Sequence, residues 1–255
     1  MPDTTLTLIG GPTVLIKLAG FRLLTDPTFD APGRYDAGGI TLEKQRGPAL
    51  AVDHLGRIDA VLLSHDQHFD NFDRAGRAFA QGLKTFTTRA GAQRLGGTAQ
   101  GLAPFESAIL NGANGRKLHV TGTPARHGPV GIEPISGDVA GFLLGVDAPG
   151  DTIYVSGDTV WYEGVAETAR RFRPRLAILF TGSAKPRGPF HVTMDNNDAI
   201  EAAHAFAPAQ IIAIHNDGWA HFTESQADLA RAFATFGLED RLCWLEPGKP
   251  VQLVL

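Results

Sequence analysis

Short apolar runs broken by tight turn signals fill the first part of the chain, and that pattern predicts strands. Runs at 5–9 (TLTLI), 13–18 (TVLIKL) and 21–25 (FRLLT) are separated by Gly-Gly-Pro and Ala-Gly, residues that supply turn backbone. The run at 58–64 (IDAVLLS) is apolar without alternation, as in a strand buried on both faces. Helices are predicted over 72–81 and 90–95, flanking a strand at 83–87. Strands at 105–110 and 116–123 pair across 111–115, where Asn-Gly supplies the turn. A second pair, 141–146 and 152–156, is joined through Pro-Gly. The pattern then alternates. A helix over 162–172 stops before Pro174, and a strand follows at 175–180. A helix over 195–206 has Asp195 as its N-cap and leads to a strand at 209–214. A helix capped at Thr223 runs to about Phe236, and strands at 242–246 and 251–255 close the chain. Strands followed by strand–helix alternation predict an α/β fold with helices outside layered sheets. No repeat or composition shift divides it, so one domain over 1–255 is expected.

Composition narrows the class. Of 255 residues, 43% are hydrophobic and 20% charged, enough apolar material for a large core and too much for a disordered chain. The net charge of −4 lacks the basic footprint of a general nucleic-acid binder. A single cysteine, Cys243, excludes an intrachain disulfide and fits a reducing compartment. The start, MPDTTLTLIGG, has no basic segment followed by an apolar one, so no signal peptide is read. No apolar run is long enough to cross a bilayer. The expectation is a cytoplasmic protein without an integral membrane segment, acting on a small-molecule substrate.

Candidate chemistry lies where strands end. His65 follows AVLLS, Asp158 follows TIYVSG, His215 follows IIAI, and His127 lies just beyond RKLHVTGT. In α/β sheets, sites form beyond the carboxyl ends of strands. The densest stretch is SHDQHFDNFD (64–73), with two histidines and three aspartates in ten residues. Imidazole and carboxylate without thiolate suit zinc, iron or manganese. A solvated polar turn is the plain alternative for the stretch taken alone. A serine hydrolase built on Ser64 or Ser156 lacks a G-x-S-x-G elbow. Phosphate-loop and dinucleotide fingerprints are also missing.

These residues carry a resemblance. The opening IGGPTVLIKLAGFRLLTDP, then LLSHDQHFDN, TPARHGP, VSGDTVWYEG and IIAIHNDGWAHF, resemble the metallo-β-lactamase superfamily. The likeness is to the hydrolase branch of ascorbate-6-phosphate lactonase-like and N-acyl-phosphatidylethanolamine phospholipase D-like proteins. It implies a four-layer αββα sandwich with a metal site at one rim. The family's ligand motif is H-x-H-x-D-H. Aligned without a gap, Gln67 and Phe69 fall on ligand positions. With one inserted residue, His65, His68 and Asp70 match and Asn71 stands in for the last histidine. The resemblance then makes His127 the next ligand, Asp158 the bridging carboxylate and His215 the last histidine.

It implies one or two divalent ions, zinc first, with manganese or iron as alternatives. One subsite would hold His65, His68 and His127. The other would hold Asp70, Asp158 and His215, with Asn71 or water, and would be weaker because an amide oxygen is a poorer donor than imidazole. A metal lowers the pKa of its water from 15.7 towards about 7. The implied reaction is attack of that hydroxide on an ester, lactone or phosphodiester, with Asp70 orienting it. His191 (RGPFHVTMD) and His221 (GWAHFTE) are candidate acids, with packing at a helix start for the first and a plain loop or supporting position for the second as the equal alternatives. Asp26 resembles a residue that orders the ligand loops, and a turn-stabilising Asp before Pro27 explains it as well. The rest have plainer readings: Asp73 as a helix-start charge, Arg126 as a surface or anion-binding group, Trp161 and Tyr162 as packing or pocket residues, and His54, His119 and His204 as structural. A non-catalytic metal-binding or ligand-sensing module is the competing class.

Overall fold

The computed structural model describes residues 3–255. The chain opens with an antiparallel meander of β1 (Asp3–Gly10), β2 (Thr13–Leu18) and β3 (Phe21–Thr25). A separate hairpin follows, β4 (Gly33–Asp36) with β5 (Thr41–Lys44). Next come β6 (Ala60–Leu62), α1 (Arg74–Ala80), β7 (Thr85–Thr87), α2 (Arg89–Leu95) and β8 (Ala99–Gly101). The second half begins with β9 (Ser107–Asn111), β10 (Lys117–Pro124), α3 (Glu133–Ser136), β11 (Ala140–Gly145) and β12 (Ile153–Val155). It continues with α4 (Glu163–Arg171), β13 (Leu176–Phe180), α5 (Asn196–Ala205), β14 (Gln210–Ile214), α6 (Gln226–Thr235), β15 (Leu242–Cys243) and β16 (Pro250–Val254).

The strands build two seven-stranded sheets, ordered β16-β1-β2-β3-β6-β7-β8 and β9-β10-β11-β12-β13-β14-β15, with β16 returning from the second half to the edge of the first sheet. In both, four strands pair antiparallel and the next three add in parallel. The sheets face each other across one apolar core. Leu6, Ile16, Leu23 and Phe86 from the first sheet meet Val120, Phe142, Ile178 and Ile212 from the second. Side chains alternate along a strand, so the neighbours Leu143, Tyr154, Leu179 and Ile211 point outward. There they pack under α4, α5 and α6, through residues such as Val165, Ala203 and Phe233. On the first sheet, Val61 and Leu63 turn outward to Phe72 and Ala80 beside α1. The result is helix, sheet, sheet, helix, the αββα sandwich expected from the sequence. Among the described residues no helix is long and apolar enough to cross a membrane.

The elements that differ from expectation have local causes. Thr223 is not a cap; its hydroxyl donates to the Ser183 carbonyl at 2.7 Å. The cap of α6 is Ser225, which forms a capping box with Asp228. The predicted strand at 242–246 shortens to Leu242–Cys243. The β4–β5 hairpin escapes the hydrophobic pattern because only Tyr35, Leu42 and Lys44 of its strands are buried.

Lys44 explains how that polar hairpin is anchored. Its ammonium lies 2.9 Å from Asp73, with 4% and 0% of the two side chains exposed. Asp73 also caps α1 through Gly76 N and accepts the Phe29 and Asp30 amides. Lys44→Met would leave that carboxylate buried without a counter-ion and is expected to cost about 3 kcal/mol. Arg46→Ala breaks only an exposed pair with Asp217 and should cost under about 1 kcal/mol. Urea denaturation of the two variants checks the contrast.

Candidate metal centre

The strand ends that carry candidate side chains share one rim. Asp26 follows β3, His65 follows β6 after Leu63 and Ser64, His127 follows β10, Asp158 follows β12 and His215 follows β14. Two sharp backbone turns place these groups. Gly157 has φ +60°, and a Cβ there would lie 2.7 Å from the Ala140 carbonyl and 2.9 Å from Ser64 Cβ. Only glycine lets the Asp158 segment pass so close to the His65 loop. His215 has φ +55°, unusual for a non-glycine residue. Its amide donates to Gly11 O at 3.1 Å, which ties it to the β1–β2 turn.

Three imidazoles converge. His68 Nδ1 lies 2.8 Å from His65 Nε2 and 3.1 Å from His127 Nε2, and the three ligand atoms fall within 4.8 Å of one another. His127 Nδ1 is 2.7 Å from the Val192 carbonyl. A carbonyl can only accept, so Nδ1 carries the proton and Nε2 turns a lone pair inward. Ser64 Oγ sits 2.9 Å from His65 Nδ1 on the outer side of that ring. Burial first, then the neighbouring imidazoles, lower His65 well below the usual histidine value. The same causes push His68 down to about 4.

Two carboxylates and two more imidazoles complete the interior. Asp158 is 3.6 Å from His127 Nε2 through Oδ2 and 3.4 Å from His215 Nε2 through Oδ1. Asp70 Oδ2 is 3.0 Å from His221 Nε2. Burial works against charge on both carboxylates, yet the histidines around them hold both below the ordinary aspartate range. Burial also opposes charge on His215, and Asp158 outweighs it to raise this ring.

The three aspartates of 64–73 have separated into three roles. Asp70 faces the histidines. Asp66 accepts Arg94 in a bidentate pair, Nε at 2.9 Å and Nη2 at 2.5 Å, which braces the loop from outside. Asp73 is the helix cap already described. Asn71 is fully buried, and its amide nitrogen lies 3.4 Å from Asp26 Oδ2. The other Asp26 oxygen accepts Ser64 N at 2.6 Å, so Asp26 orders the histidine loop. Burial raises its carboxyl to about 7.

His191 falls in a separate set of converging ligand atoms, with Asp195 and Asp198. Its ring lies 3.1 Å from Asp198 and 3.7 Å from Asp195 at the start of α5. Arg126 stacks over Tyr162 at 4.5 Å and donates to Gly128 O, and Trp161 N donates to Asp198. His119 sits in β10, His204 on α5 and His54 in a short 3-10 turn. The hairpin around Lys44 is the part of the surroundings that sequence reasoning missed. Lys44 bridges Trp219, and Ala220 N donates to Glu43 O, so β5 holds the loop that follows β14.

A divalent ion fits this donor set. Asp70 Oδ1, Asn71 Oδ1, both Asp158 oxygens and both ring nitrogens of His215 and His221 are buried without hydrogen-bond partners. Buried polar atoms are rarely left so, and metal ligands are the kind of group for which it is expected.

An αββα sandwich with histidines and aspartates gathered at its rim defines the metallo-β-lactamase class of metal-dependent hydrolases. Residues 21–216 match the model of the β-lactamase superfamily domain, and the chain belongs to that family. It is 25% identical to the UPF0173 protein YddR of Bacillus subtilis, over 96% of this chain and 98% of that one. It is 29% identical to a metal-dependent hydrolase of Pelotomaculum thermopropionicum, over 77% and 83%. Among solved structures, a possible metal-dependent hydrolase from Veillonella parvula superposes with TM-score 0.86 at 23% identity, covering 98% of this chain and 100% of that one. An isothiocyanate hydrolase from Delia radicum gut bacteria superposes with TM-score 0.80 at 23% identity, covering 97% and 98%.

An unfolded histidine takes a proton near 6.5, whereas folded His68 does so near 4. Between those values the unfolded chain binds the extra proton, so the stability contributed by His68 falls as pH drops through that window. In metal-free protein, NMR titration should find the His68 ring neutral at pH 6. His68→Ala should flatten the stability–pH curve there by up to about 1.4 kcal/mol per pH unit. A ring that titrates near 6.5 would contradict this.

Proposed function

We propose that the chain hydrolyses a small-molecule ester, lactone or phosphodiester at a centre of one or two divalent ions. The observation that carries the reading is the set of three imidazoles with ligand atoms within 4.8 Å of one another, beside which Asp70, Asp158, His215 and His221 hold buried polar atoms without hydrogen-bond partners. His65, His68 and His127 would hold the first ion, and a three-imidazole set favours zinc. Manganese and iron suit the oxygen-richer remainder. When bound, such an ion acidifies water and polarises the oxygen of the attacked group.

The remaining roles belong to the chain. The Val192 carbonyl fixes the His127 tautomer. Asp26 holds the loop that carries His65 and His68. Asp70, with one free oxygen, orients the attacking water and accepts its proton. Substrate would enter beside His127 through a cavity of about 350 Å³, walled by Thr88, Leu102, Thr123, Arg126, His127 and Ala140. That is small-molecule size. His191 is left out of this reading because Asp195 and Asp198 engage its ring. The relatives named metal-dependent hydrolases support the reaction class, and the isothiocyanate hydrolase adds a further electrophile to test.

Elemental analysis of protein purified without added metal or chelator should find at least one equivalent of zinc, manganese or iron per chain. Purified protein should then turn over a member of a panel of esters, lactones, phosphodiesters and an aryl isothiocyanate. Chelation should abolish that activity and metal should restore it, while His65→Ala and His68→Ala should lose about 100-fold or more. Bound metal with no turnover would fit a metal-binding or ligand-sensing module. No metal under any loading condition would overturn the reading.

A further inference from the structure

We infer that His221 is a metal ligand, and that with Asp70, Asp158 and His215 it holds a second ion in the place that Asn71 leaves without an imidazole. This rests on the metal-centre reading above and assigns a ligand that the H-x-H-x-D-H pattern does not contain.

The backbone around His221 is held from two sides. Lys185 N donates to His221 O at 3.0 Å, and Ala184 bridges Phe222. On the other side Lys44 bridges Trp219, and Ala220 N donates to Glu43 O. Rings of Trp219 at 5.9 Å and Phe222 at 4.8 Å flank the imidazole. Backbone contacts on both sides thereby pin the loop that carries His221.

The side chain is 8% exposed, and neither ring nitrogen has a hydrogen-bond partner. Nε2 approaches Asp70 Oδ2 to 3.0 Å without hydrogen-bond geometry, and Asp70 Oδ1 is equally unpartnered. The same holds for His215 and Asp158, 3.4 Å apart with all four polar atoms unpartnered. An isolated buried histidine would bond a carbonyl or hydroxyl, as His127 does at its outer nitrogen. The two pairs leave buried polar atoms without a protein partner, and a cation would supply one. Among the described residues no three of these four side chains bring ligand atoms within 4.8 Å of one another, so the ion would draw the His221–Asp70 and His215–Asp158 pairs together. Asn71 meanwhile spends its amide nitrogen on Asp26, a loop-ordering contact, and its oxygen is a weaker ligand than imidazole.

The two subsites then differ in kind. The first is all imidazole. The second pairs two imidazoles with two carboxylates, which favours manganese or iron more than the first does. Neither a shared ion nor an acid at His221 is required.

Cobalt titration of the metal-free protein, followed by absorbance and elemental analysis, tests the assignment. Wild type should fill in two phases and reach two equivalents. His221→Ala should keep the first phase and lose the second, while Asn71→Ala should keep both. His221→Cys should add a thiolate-to-cobalt charge-transfer band that Asn71→Cys lacks; this reads the ligand directly if the alanine variant folds poorly. Two equivalents in His221→Ala, or no such band in folded His221→Cys, overturns the inference and leaves the metal centre standing. One equivalent in wild type does the same. No cobalt uptake by wild type would overturn the metal-centre reading itself.

Discussion

Three imidazole nitrogens within 3.1 Å steps of each other, shut away from bulk water, are the condition the rest of the structure serves. Rings so placed repel one another once protonated, and water is not at hand to solvate them. The fold answers from outside the cluster. A carbonyl accepts the outer N–H of His127, a hydroxyl meets the outer nitrogen of His65, and carboxylates stand on the far side. Each answer comes from a different stretch of chain, so the arrangement persists only while both sheets stay in register. Asp26 acts at the next remove, and its buried carboxyl grips the loop rather than the centre.

The cluster of buried imidazoles and carboxylates is assembled across the two halves. The first contributes His65, His68 and Asp70, and the second contributes His127, Asp158, His215 and His221. Each half repeats one plan, an antiparallel group extended by parallel strands. Parallel strands must all end on the same side, so each half sends its loops to one rim, and facing the sheets brings the two sets of loops together. The Gly157 turn, pressed against Ser64 and Ala140, is where the two sets touch.

Much of this was legible in the chain. Apolar runs of strand length marked most of the two sheets, and the polar residue just beyond a run marked the rim, because strand ends are where side chains can converge. Three things were not legible. Asp66, Asp70 and Asp73 look alike in sequence; what separates them is Arg94 and Lys44, distant in the chain. The β4–β5 hairpin has no hydrophobic alternation, since an ion pair and two apolar side chains anchor it. The site of His221 depends on that hairpin and on the 184–192 segment, neither of which announces itself locally. Long-range pairing decides such positions, and spacing along a chain does not encode it.

The pairing of β1 with β16 has a consequence in time. Asp3 lies opposite Val254 and Thr7 opposite Pro250, so β1 finds its outer neighbour only when β16 has been made. Until residues 250–254 leave the ribosome, β1 presents an open edge, the kind of edge that invites pairing with another chain. The second sheet draws only on residues 107–243 and meets no such delay. During synthesis the sheet that carries His65 and His68 therefore closes after the other, and the time between the making of β1 and of β16 sets how long that edge stays exposed.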